Sequence, residues 1–79
     1  MQGKEISSAQ SKTMTHGFVY ATRGNYDQAI EDFNSAITLV PNSAEALLNR
    51  GITKLKKGDY FGGRADIARA KLIKPDMRD

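Results

Sequence analysis

The chain has 79 residues, no cysteine and a single histidine, with 27% charged residues and a formal net charge of +3. That length bounds it to one small domain near the size at which a single core suffices, and without cysteine it has no disulfide or cysteine-ligated metal. No run of about 18 apolar residues is present to span a bilayer, and MQGKEISSAQSK lacks the apolar stretch of a secretory signal, so a cytoplasmic location is expected.

Residues 1–9 are polar and read as a tail or as the start of a first helix. That helix is expected to begin between Ser8 and Thr13 and to end at Gly24. Asn25 followed by Gln28 forms an N-cap signal for a second helix. There Tyr26, Ala29, Ile30, Phe33, Ala36, Ile37 and Val40 recur at three and four residues, which places them on one face. Pro41 stops it, because proline cannot continue the hydrogen-bond ladder. Asn42 and Glu45 read as the capping pair of a third helix with an apolar stripe of Leu47, Leu48, Ile52 and Leu55. Gly58 ends it, since glycine tolerates the left-handed conformation of a helix C-terminus. Asp59 caps a fourth helix that runs through Ile67 and Ala70 to Ile73, just before Pro75. No stretch alternates with a period of two for long enough to suggest a strand.

The chain repeats itself. A shift of 34 residues lays Gly17 on Gly51, Gly24 on Gly58, Tyr26 on Tyr60, Ala36 on Ala70 and Pro41 on Pro75. A fixed period of this kind marks a stacked repeat architecture. The units are 10–43 and 44–77, with 78–79 left as a tail. Gly17, Ala29 and Ala36, then Gly51, Gly63 and Ala70, lack bulk where paired helices approach most closely. Tyr26 and Phe33, then Tyr60 and Ile67, are expected to fill the space between them.

Gly17, Tyr20, Ala29, Phe33, Ala36 and Pro41, with Gly51, Ala70 and Pro75 in the second unit, resemble the tetratricopeptide repeat. That family has a helix–turn–helix unit of 34 residues. The second unit departs from the pattern, with Gly63 for alanine, Ile67 for the aromatic and Lys54 for the second tyrosine. Thr13 and His16 stand where the family prefers tryptophan and leucine. The resemblance implies an all-α fold of two stacked hairpins, four antiparallel helices in a piece of right-handed superhelix. It also implies a concave groove, lined by the first helix of each hairpin, that receives a peptide or a partner helix.

The groove positions carried over by the resemblance are Ser11, Met14, Thr15, Phe18, Ala21 and Thr22, then Glu45, Leu48, Asn49, Ile52, Leu55 and Lys56. Met14, Phe18, Leu48, Ile52 and Leu55 would form one apolar strip, and exposed apolar patches mark contact sites. In a carboxylate clamp, a binding mode of this family, lysine, arginine and asparagine hold a chaperone C-terminus. LNRG puts Asn49 at the clamp asparagine, but Met14 and Phe18 stand where a lysine and an asparagine are required. A clamp is therefore not expected.

Other chemistry finds no support in the residues. His16 stands without a second metal-binding partner of the histidine or cysteine type, so neither a metal nor any other cofactor is expected. Asp27, Glu31 and Asp32 lie in the first turns of a helix, where the dipole favours negative charge. Gly58, Gly62 and Gly63 match no phosphate-loop pattern. No acid–base or nucleophile constellation is present, so the chain reads as non-enzymatic. Residues 40–79 carry nine basic against five acidic side chains, a possible surface for an acidic partner. Stacking aromatics for nucleic acid are lacking. The expected function is a scaffold that binds a protein or peptide through the groove. Because about three repeats are normally needed for a closed stack, homo-oligomers of this short chain, or a place in a longer array, are also expected.

Overall fold

The computed structural model describes residues 2–76, and within its first helix the side chains of Gln10 and of Lys12 onward. Residues 77–79, which hold the end of the second unit and the short tail, lie outside the described residues, as does the side chain of Ser11. The described chain is four helices: α1 Gln2–Thr22, α2 Tyr26–Leu39, α3 Ala44–Lys57 and α4 Tyr60–Ile73. Consecutive helices pack on one another, and α1 also touches α3, which brings the first helices of the two hairpins side by side.

Helix α1 begins well before the expected Ser8–Thr13 window. Gln2–Lys12 contains no proline, and its one glycine, Gly3, sits in the first turn, so no strong helix breaker lies inside it. Both first helices end in the same way. Gly24, at φ 81°, donates its N–H to Ala21 O (3.1 Å), and Asn25 N–H reaches back to Tyr20 O (2.9 Å). Gly58, at φ 102°, bonds Leu55 O (3.0 Å), while Asp59 N–H bonds Lys54 O (2.8 Å). These paired bonds satisfy the last carbonyls of each helix, and the left-handed backbone they need is one that glycine adopts without strain.

The caps are partly as read. Asp59 accepts from Gly62 N–H (3.0 Å) at the start of α4. The cap of α3 is Ser43, one residue beyond Asn42, and its hydroxyl oxygen accepts from Ala46 N–H (3.2 Å). Asn25 occupies the N-cap position of α2, yet its side chain makes no capping bond. Helices α2 and α4 end at Leu39 and Ile73, so Pro41 and Pro75 each stand two residues past a helix end.

Phe33 and Leu47 are the largest fully buried side chains, and Ala29, Ala36, Ala46 and Ala70 are completely enclosed. Ala44, Leu47, Leu48, Ile67 and Ala70 form a cluster, with Ile37, Ile52 and Leu55 packed against it. The small positions are demanding ones. A Cβ on Gly17 would stand 2.6 Å from the ring of Phe33. A Cβ on Gly51 would lie 2.7 Å from Gly63 O, and one on Gly63 would lie 2.7 Å from Gly51 O. Gly63 therefore departs from the family's alanine because α3 and α4 touch backbone to backbone. Tyr60 is corrected: it is 65% exposed and is not core. Its counterpart Tyr26 is half-buried on a helix flanked by α1 and α3, whereas α4 packs on α3 alone.

Gly63→Ala should destabilise the fold by about 1–3 kcal/mol, against the direction of helix propensity, which favours alanine by up to about 1 kcal/mol. Urea denaturation checks this. A more stable variant would mean that the two backbones can part freely.

Candidate functional site

Helices α1 and α3 flank a groove with two connected recesses. One, of about 300 Å³, is lined by Gln10, Met14, Thr15, Phe18, Glu45 and Asn49. The other, of about 110 Å³, is lined by Phe18, Ala21, Thr22, Phe33, Asn49, Ile52, Thr53 and Lys56. Phe18 and Asn49 belong to both and so join them across the groove. The helical period produces this arrangement: Met14 and Phe18 are four apart on α1, and Asn49, Ile52, Thr53 and Lys56 are three or four apart on α3.

Six of the eight site residues read from sequence come together here. Met14, Asn49 and Ile52 are half-buried, Phe18 is 59% exposed, and Glu45 and Lys56 are exposed. Leu48 and Leu55 are not on the open strip. Leu48 is 9% exposed within the core cluster, and Leu55 packs against it. A Cβ added to Gly63 would stand 2.8 Å from the Leu55 side chain, which shows how closely that residue meets α4. The apolar stripe of α3 is wider than one surface can use, and α4 takes half of it.

The sequence reading missed Gln10, Phe33 and Thr53 as lining residues. Phe33 belongs to α2 and forms the recess floor from beneath, a contact that no spacing reveals. Thr53 is buried, and its hydroxyl donates to Asn49 O (2.8 Å). The Gln10 amide nitrogen is buried without a hydrogen-bond partner. His16 is exposed. Among the described residues no group of three or more His, Cys, Asp or Glu is placed to hold a metal. No described helix is long and apolar enough to cross a membrane.

Behind the groove, Arg50 ties three helices. Its Nε and Nη2 donate to Asp66 on α4 (2.7 and 2.8 Å), and its Nη1 donates to Asn34 on α2 (2.7 Å). Lys54 lies 3.1 Å from the same carboxylate. Burial alone would raise the Asp66 pKa. The hydrogen bonds and positive charges of Arg50 and Lys54 outweigh it, and the carboxyl titrates below its usual range. The Arg50 guanidinium is held above its ordinary value by the hydrogen bond to Asp66. At the far end Lys57 pairs with Asp27 across α3 and α2.

A family model described as TPR repeat matches residues 17–58, more than half of the chain. The chain is 37% identical over 61 residues to a UPF0162 protein of Xylella fastidiosa (strain 9a5c), covering 77% of this chain and 22% of the relative. It is 33% identical over 67 residues to protein O-mannosyl-transferase TMTC1 of Mus musculus, covering 76% of this chain and 7% of the relative. The chain thus matches less than a quarter of the length of either relative.

A carboxyl held below its unfolded-state value of about 3.9 stabilises the fold above that pH, and this contribution is lost as pH falls through the folded value. Lowering the pH from 7 to 3 should therefore cost the wild type more stability than it costs Asp66→Asn, as read by urea midpoints. Equal losses would remove Asp66 as the acid-sensitive group.

Proposed function

The chain belongs to the tetratricopeptide repeat family, and from that premise we propose that it is a non-catalytic binding module whose α1–α3 groove takes a peptide or partner helix. The observation that carries this is the joined pair of recesses, where Phe18, Met14 and Ile52 offer apolar surface beside the polar Asn49 and Lys56. An exposed aromatic over a half-buried aliphatic is the kind of surface that an incoming apolar side chain covers. Asn49, with an amide at the junction, suits a ligand backbone that presents both a donor and an acceptor. Gln10 contributes an unsatisfied donor to the larger recess, and pairing it with a ligand carbonyl would recover the cost of its burial.

The groove also has a direction. Glu45 lines one recess and Lys56 the other, about 16 Å apart along α3 at a helical rise of 1.5 Å per residue. The ligand that fits carries an apolar residue for the Phe18–Ile52 recess, an acidic residue towards Lys56 and a basic one towards Glu45.

Selection from a random peptide library against the immobilised protein should enrich sequences with that polarity. Phe18→Asp should bind the selected peptides at least about tenfold more weakly in fluorescence anisotropy, with an unchanged circular dichroism spectrum because Phe18 is exposed. Selected peptides that bind this variant as well as the wild type would refute the groove.

A further inference from the structure

We propose that His16 is an acid-operated latch: once protonated, it closes on Asp32 and pins α1 to α2. Asp32 holds a carboxylate oxygen, Oδ2, that is buried without a hydrogen-bond partner. A buried acceptor left unpaired is expensive, and more so when it is charged. The second hairpin contains the same carboxylate with its partners in place. Thirty-four residues on from Asp32 is Asp66, where Arg50 gives two hydrogen bonds (2.7 and 2.8 Å) and Lys54 lies 3.1 Å away. The same offset carries Arg50 back to His16 and Lys54 back to Tyr20. The backbones correspond as well. Gly17, next to His16, lies against Phe33, next to Asp32, just as Gly51 lies against Ile67 and the Asp66 Cβ. His16 thus stands at the place on α1 from which Arg50 reaches its acid on α3.

The first hairpin keeps the acid but replaces a guanidinium and an ammonium with an imidazole and a phenol. A neutral imidazole offers one donor and no charge, whereas an imidazolium offers two donors, and a charge-assisted bond is roughly twice as strong. The ring is shorter than a guanidinium, so it serves one oxygen, and one oxygen is what lacks a partner. No other ionisable group on the three helices packed here supplies that bond. On α1, Lys12 and Arg23 are exposed and Tyr20 is half-buried. On α2, Glu31 is exposed, Tyr26 is half-buried and Asp27 is paired with Lys57 of α3. On α3, Arg50 and Lys54 are engaged by Asp66, while Glu45 and Lys56 line the groove. Because α1 carries Met14 and Phe18, the latch fixes one wall of the groove as Arg50 fixes the other, whatever ligand the groove takes.

Histidine is the side chain whose charge ordinarily changes between about pH 5 and 8, and this chain has a single one. A pair that needs the imidazolium stabilises the fold below the unfolded histidine value of about 6.5, and this contribution fades as pH rises. Urea denaturation at about pH 7.5 and about pH 5.5 reads it. The wild-type midpoint should rise by about 0.5 M on acidification. In His16→Gln and in Asp32→Asn it should not rise. His16→Arg should place the midpoint above that of the wild type at the higher pH and remove its dependence on pH. Helicity should match in all of these chains, because His16 is exposed and Asp32→Asn keeps the side-chain shape. A flat wild-type midpoint would overturn the proposal. So would an acid gain that survives in His16→Gln, because another group, Asp32 included, would then be taking up the proton.

Discussion

The contact on which the second hairpin depends is backbone against backbone. Gly51 and Gly63 let α3 and α4 approach so closely that a single methyl group on either would press on the carbonyl oxygen of the other. In the first hairpin the ring of Phe33 lies against Gly17 as Ile67 lies against Gly51 in the second, where the carbonyl of Gly63 also closes in. At position 67 the phenyl ring is replaced by isoleucine, and the glycine at 63 closes the space that a smaller side chain would leave. Dense packing with few voids is a general demand on interiors, and here it is met by removing atoms from the backbone contact.

Arg50 adds orientation to that packing. Its planar guanidinium has donors for two helices at once, and Asp66 and Asn34 take them in directions fixed by the fork. A buried ion pair contributes little net stability once desolvation is counted, but it penalises arrangements that leave either charge unpaired. The consequence is a fixed rotation of α3. Asn49, Ile52 and Lys56 then face α1, while Leu48 and Leu55 turn inward. The groove between α1 and α3 mixes apolar residues with one acid, Glu45, and one base, Lys56, at separate ends.

The number of helices and their C-terminal ends were legible in the residues, because these are local matters, and the repeat made their pairing legible as well. Gly24 and Gly58 needed left-handed backbone, Pro41 and Pro75 ended ladders, and a 34-residue offset bound the units together. The apolar spacing on α3 was legible too, but spacing reports that a side chain lies on a face and says nothing of what covers that face. Only tertiary contact assigned Leu48 to the core and Ile52 to the groove, exposed Tyr60 and brought Phe33 beneath the recess. Burial is a property of two surfaces meeting, and a single strand of letters describes one surface at a time.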